Sequence, residues 1–140
     1  MENKAAVLEV LNKMCDNTLM ETLRITYTDF GDDFLIATMP VDARVHQPDG
    51  VLNGGATMAM AESVGSPLSM MVVDREKFFV RGISFSANHL RGMRTGILTA
   101  TARFIHQGRT THLVEITLTN EEGKIVSICK LTNIVLEIKK

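Results

Sequence analysis

The residues best suited to chemistry fall in one stretch, His46-Gln47-Pro48-Asp49-Gly50-Val51-Leu52-Asn53-Gly54-Gly55, followed closely by Glu62 and Ser66. Glu62 is the lone strong acid in an Ala- and Met-rich run. A carboxylate in an apolar wall is expensive unless it is paired or faces a cavity, and burial raises its pKa toward that of a general base. The plainer alternative is a helix carboxylate that reaches a rim or pairs with an arginine. Gly54-Gly55 opens the same run. A helix N-terminus presents unpaired N–H groups and a partial positive charge, and glycine lets a ligand approach the backbone. That geometry holds a carbonyl oxygen as it becomes an oxyanion. Gly-Gly alone would signify only a tight turn. Ser66, four residues beyond Glu62, shares its helix face and can bond Glu62, a water, a ligand or its own helix. Gln47 and Asn53 are amides able to orient a carbonyl or a water, and Asn53 also suits the helix N-cap.

Spacing constrains this set. Glu62 lies eight residues past Gly54, about 12 Å along a helix at ~1.5 Å per residue. One reacting carbonyl must touch both groups at ~3 Å, which a single helix cannot arrange. Either Glu62 is not catalytic, or the site forms between two subunits, with Gly54 from one and Glu62 from the other. A two-fold pair would then carry two equivalent sites.

The elements that must position these residues are readable in outline. Asn3–Thr18 carries Val7, Leu8, Leu11 and Met14 at helical spacing and reads as one amphipathic helix. Arg24–Asp29 and Phe34–Met39 read as a hairpin about Gly31-Asp32-Asp33, and residues 40–50 as a loop. The stretch 53–73 reads as a long helix, apolar on nearly every side and so buried all round. Pro67 cannot donate to the Ser63 carbonyl, which predicts a kink or an early end there. Residues 80–89, 96–106, 111–120 and 124–138 read as strands, with His112, Val114, Ile116 and Leu118 on one face. The order predicts an α+β architecture, one antiparallel sheet wrapped around one long helix, in a single domain over residues 1–140.

Composition excludes several classes. Among 140 residues, 15 Lys and Arg balance 16 Asp and Glu, for a net charge of -1. No basic field exists to hold nucleic acid or an anionic membrane. The first fifteen residues carry Glu2, Lys4, Glu9 and Lys13, which breaks any signal-like apolar run, and no stretch is long enough to span a membrane. Cys15 and Cys129 share no motif and read as reduced thiols of a cytoplasmic protein. His46, His89, His106 and His112 lack metal-ligand spacing, so no metal is expected. The mean hydropathy of +0.10 hints at a buried subunit interface.

The pattern Gln-Pro-x-Gly-x-Leu-x-Gly-Gly, with Ala61-Glu62-Ser63-Val64-Gly65-Ser66, resembles the hotdog-fold acyl-CoA thioesterases. Within them it is most similar to the PaaI-like, Arthrobacter-type 4-hydroxybenzoyl-CoA branch, and there to the 1,4-dihydroxy-2-naphthoyl-CoA and enterobactin proofreading thioesterases. The runs Gly82–Arg91 and Leu131–Glu137 match too, so the resemblance covers nearly everything from Asp42 onward. It implies a long helix wrapped by an antiparallel sheet and sites at a dimer interface. The homodimer is then the minimal unit and a homotetramer the assembly. It also implies roles. Glu62 would attack the thioester carbon or activate water, Gly54 would donate to the oxyanion, and Gln47 would orient the carbonyl or the nucleophile. Ser66 would place a hydroxyl near the substrate, and Asn88, His89 and Arg91 would line the acyl pocket or CoA channel. Relatives usually carry His where this chain has Asn53, which keeps hydrogen-bonding capacity but cannot donate a proton at neutral pH.

The function expected is hydrolysis of an aroyl- or acyl-CoA thioester, with coenzyme A entering as part of the substrate and no cofactor. Gly55 belongs to the substrate-facing turn. Arg91, Arg94 and Arg109 are candidates for the CoA phosphates, or ordinary solvated arginines. The competing reading is a non-catalytic acyl-CoA-binding protein of the same fold. A hotdog hydratase ranks lower, for want of a His/Asp pairing.

Overall fold

The computed structural model describes residues 3–139. The elements run α1 (Lys4–Lys13), α2 (Leu19–Leu23), β1 (Thr26–Phe30), β2 (Phe34–Val41), a 3-10 turn (Ala43–Val45), α3 (Gly54–Val72), β3 (Phe78–His89), β4 (Gly96–Gln107), β5 (Thr111–Thr119) and β6 (Ile125–Glu137). The strands form one antiparallel sheet in the order β1-β2-β4-β5-β6-β3.

Alternation drives the sheet. Leu35, Ala37, Met39 and Val41 of β2, Leu98, Ala100 and Ala102 of β4, and Val114, Ile116 and Leu118 of β5 turn inward and are buried. Their partners on alternate positions face out, as a half-buried strand requires. α3 packs on this inner face against β2 through β6. Its Met60, Val64 and Leu68 are fully buried there, each worth about 1.5–3 kcal/mol by area removed from water. Gly65 brings the helix close: a Cβ there would sit 2.9 Å from Leu131 Cδ2 and 3.1 Å from Ile116 Cδ1.

Four expectations need correction. The N-terminal helix is not continuous to Thr18: α1 stops at Lys13, and a second short helix, capped by the Thr18 side chain, starts at Leu19. Residues 40–50 are not all loop, because β2 runs to Val41 and a 3-10 turn follows, capped by Asp42. Of the kink or early end expected at Pro67, the early end does not occur: α3 runs on to Val72. The carbonyl that Pro67 orphans is that of Ser63, and the Tyr27 hydroxyl donates to it at 2.6 Å. Finally, α3 is not buried all round: Gly55, Met58 and Glu62 are exposed along one side.

The two sheet edges differ. At β1 the Asn12 side chain acts as a surrogate strand, accepting from Tyr27 N at 2.7 Å and donating to Tyr27 O at 3.0 Å. β3, the other edge, has only β6 as a neighbour and exposes Gly82, Ile83, Ser84, Ser86 and Asn88.

Candidate active site

The N-terminus of α3 is built by its cap. Asn53 Oδ1 accepts from Gly55 N at 2.7 Å and from Ala56 N at 3.4 Å, and Asn53 O accepts from Thr57 N at 3.1 Å. Gly54 N–H is the amide of this first turn with no partner among the described residues. Four orphan amides is the rule at a helix start. Here the cap consumes the inner ones and leaves the outermost free.

The turn before the helix is pinned. His46 pairs with Leu52 in an isolated bridge, Gln47 N donates to Val51 O, and Leu52 N donates to Met93 O. Arg94 reaches across to the carbonyls of Asp49 and Gly50 at 3.4 and 3.3 Å, so its guanidinium clasps the turn. His46 Nε2 lies 2.7 Å from Arg94 O.

A cavity of about 410 Å³ opens at this helix end. Gln47, Gly54, His89, Arg91 and Ser127 line it. His89 and Ser127 are directly paired across β3 and β6, and His89 Nδ1 lies 2.7 Å from Ser127 Oγ. The other ring nitrogen, Nε2, sits 2.8 Å from where a Gly54 Cβ would be.

Glu62 is elsewhere. It does not line that cavity, and it is exposed rather than buried, so the expectation of a carboxylate sealed in an apolar wall is corrected. Its carboxylate lies over β3, where a Cβ on Gly82 would stand 2.6 Å from Oε1. Gly82 sits at the register shift of β3 against β6. A bare backbone at a bulge thus makes room for the acid.

Behind Glu62 runs a buried polar chain. Ser66 Oγ donates to Asn133 Oδ1 at 3.4 Å. Asn133 Nδ2 donates to Gly65 O at 3.2 Å and to Ser69 Oγ at 2.8 Å, and Ser69 Oγ lies 3.0 Å from His112 Nδ1. Asn133 and Ser69 are fully buried, and Phe104 packs edge-on against the His112 ring. Burial holds the His112 pKa below its ordinary value. Ser69, Gly82, Ser127 and Asn133 escaped the reading of the sequence as site residues. The available signal was Asn133, a polar residue on the inward side of β6 between Leu131 and Val135.

The structure therefore brings together Gln47, Asn53, Gly54, His89 and Arg91, and separately Glu62 and Ser66. Asn88 is exposed on β3, and strand alternation turns it away from His89. Arg109 lies in the β4–β5 turn. Thr111, two residues on, pairs with Ile134, which stands seven residues or about 23 Å along β6 from Ser127 at ~3.3 Å per residue, so Arg109 lies toward the far end of the sheet from the cavity. Among the described residues no group of three or more His, Cys, Asp or Glu is placed to hold a metal, and no helix is long and apolar enough to cross a membrane.

Comparison with known proteins supplies the lineage. Residues 49–127, more than half of the chain, match the thioesterase superfamily. A crystallised variant of thioesterase PA1618 from Pseudomonas aeruginosa superposes with a TM-score of 0.92 at 45% identity, covering 94% of each chain. Thioesterase HI1161 from Haemophilus influenzae gives 0.91 at 40% identity over 95% of this chain and 92% of that one. The proofreading thioesterase EntH of Cronobacter sakazakii is 40% identical over 129 residues, 92% of this chain and 93% of its own. A six-stranded antiparallel sheet around one long helix, the motif Ala61-Glu62-Ser63 on that helix and these relatives agree: the chain belongs to the hotdog-fold thioesterase superfamily and is a thioester hydrolase.

Proposed function

We propose that the protein hydrolyses an aroyl- or acyl-CoA thioester at a site shared by two subunits. The observation that carries this reading is the free Gly54 N–H, which opens onto a cavity lined by no carboxylate, while Glu62 stands exposed two turns away beside an open sheet edge. Pairing of β3 with β3 of a second copy would bring Glu62 of the partner subunit toward this cavity. That dimer is the minimal unit, and a homotetramer the assembly.

In this mechanism the Gly54 amide and the α3 dipole polarise the thioester carbonyl. Glu62 either attacks the carbonyl carbon, giving a mixed anhydride that water cleaves, or takes a proton from the attacking water. In both routes the C–S bond breaks and the CoA thiolate leaves, taking a proton from solvent. Gln47 orients the carbonyl or the nucleophile. Arg91, which lines the cavity, would meet a CoA phosphate, and Arg109 would serve the partner subunit's cavity across the two-fold. Arg94 acts by holding the turn. Asn53 supports the site as the helix cap, with Gly55 donating to it. Ser66 and Asn88 remain candidates for the acyl side. No cofactor is required, and a balanced charge with two reduced thiols suits the cytoplasm.

The motif resemblance favours the PaaI-like branch and an aroyl substrate, with 1,4-dihydroxy-2-naphthoyl-CoA foremost. Thiol release from a panel of aroyl- and acyl-CoAs, with wild type beside Glu62→Gln, tests this. Turnover on an aroyl-CoA that falls at least 100-fold in Glu62→Gln supports it. Tight CoA-ester binding without thiol release would favour the non-catalytic reading, for which the commitment of Asn53 to the cap is the one structural argument.

A further inference from the structure

We infer that His89 is the second oxyanion donor of the site, its Nε2–H converging with the Gly54 N–H on the same carbonyl oxygen. The inference rests on the reading of Gly54 as an oxyanion donor and adds a side chain to it.

The His89 ring is held by its neighbour across the sheet. His89 is the last residue of β3, and Ser127 is its direct partner on β6. Ser127 is buried, so its hydroxyl needs a partner, and His89 Nδ1 lies 2.7 Å from it. With Ser127 donating to Nδ1, the ring nitrogen left to carry a proton is Nε2. That nitrogen points at the start of α3, 2.8 Å from the position a Gly54 Cβ would occupy. Gly54 is thus glycine for the imidazole as well as for the ligand: any side chain there would displace the ring.

Gly54 and His89 both line the cavity, so Gly54 N–H and His89 Nε2–H can share one carbonyl oxygen, where a single backbone amide would stand alone. Asn53, next in the chain to Gly54, has its side-chain amide anchored at the helix cap through Oδ1. As the tetrahedral intermediate forms, the carbonyl oxygen gains the negative charge and both donors shorten toward it. His89 keeps its proton throughout.

The test is kcat and KM for benzoyl-CoA hydrolysis in wild type, His89→Ala, His89→Gln, Ser127→Ala and Glu62→Gln, with melting temperatures recorded. Loss of one oxyanion donor typically lowers kcat by about 100-fold, so His89→Ala should fall by that order with KM within about threefold. His89→Gln, which returns an N–H near the Nε2 position, should recover at least about tenfold of that loss. Ser127→Ala should fall between wild type and His89→Ala. A His89→Ala variant that keeps wild-type kcat and changes only KM overturns the inference while leaving the hydrolase intact. So does a His89→Gln variant no better than His89→Ala. If Glu62→Gln retains full turnover while His89→Ala collapses, the role of Glu62 falls and this inference stands. A wild type that releases no thiol from any aroyl- or acyl-CoA overturns both.

Discussion

The Tyr27 hydroxyl donates to the main-chain carbonyl of Ser63 at 2.6 Å, the acceptor that Pro67 leaves without a helical partner. The pair ties β1 to α3 and lets the helix continue across a proline. Burial raises the Tyr27 pKa, so the phenol stays protonated as a donor at every working pH. Tyr27→Phe should destabilise the fold by about 1–3 kcal/mol, the penalty for a buried acceptor left unpaired. Pro67→Ala restores a backbone N–H to the same carbonyl and should recover most of that loss in the double variant. Urea unfolding of the four proteins in the cycle checks both statements.

Gly82 makes the room that the Glu62 carboxylate occupies. A methyl group there would sit 2.6 Å from Glu62 Oε1, so Gly82→Ala must displace the carboxylate. If Glu62 does the proposed chemistry, kcat should fall by about 10- to 100-fold, since small misplacements of a catalytic group carry penalties of that order. The melting temperature, read in parallel, should change by a few degrees at most, because the added methyl presses mainly on the movable end of the Glu62 side chain and meets Leu131 Cδ1 only at 3.2 Å.

Asn133 is the keystone of the buried polar chain. Its amide donates to Gly65 O and Ser69 Oγ and accepts from Ser66. Asn133→Leu preserves bulk but strands these partners in the core. Each buried group left without a partner costs about 1–3 kcal/mol, so this substitution should rank among the most destabilising in the chain. Denaturant titration against Ser66→Ala, which removes one outer member only, should show Asn133→Leu as much the worse.

His112 makes stability depend on pH. Its folded pKa is depressed by burial, so in mildly acidic solution the unfolded chain takes up a proton that the folded chain refuses. The contribution is complete above about pH 6.5, the ordinary histidine value, and is lost as pH falls from there through the lower folded pKa. Melting temperatures should therefore drop from pH 7.5 to pH 5.5. In His112→Gln the drop should be smaller.

Cys15 and Cys129 are free and buried, and burial pushes the Cys129 thiol up to about 11 and raises that of Cys15. Reaction needs the thiolate and access, and both are denied. A disulfide reagent should titrate neither thiol in the native protein within minutes and two per chain in guanidinium. A fast native titration of either would show that its cover opens.

Sequence alone determined the strands and the long helix, because period-2 burial and an apolar 19-residue run are local properties that each segment carries. It also separated Gly54 from Glu62, since eight residues of helix have a known length. Where a partner came from a distant segment, the sequence was silent. Tyr27 lies 36 residues from the Ser63 carbonyl, so the continuation of α3 through Pro67 was invisible. Ser127 is 38 residues from His89, and Asn133 is 64 residues from Ser69. Polar residues such as these look like surface until folding brings their partners beside them. The exposure of Glu62 was misjudged for a related reason. A helix rich in Ala and Met shows little contrast between faces, so only the one-sided placement of the sheet revealed which stripe it leaves open.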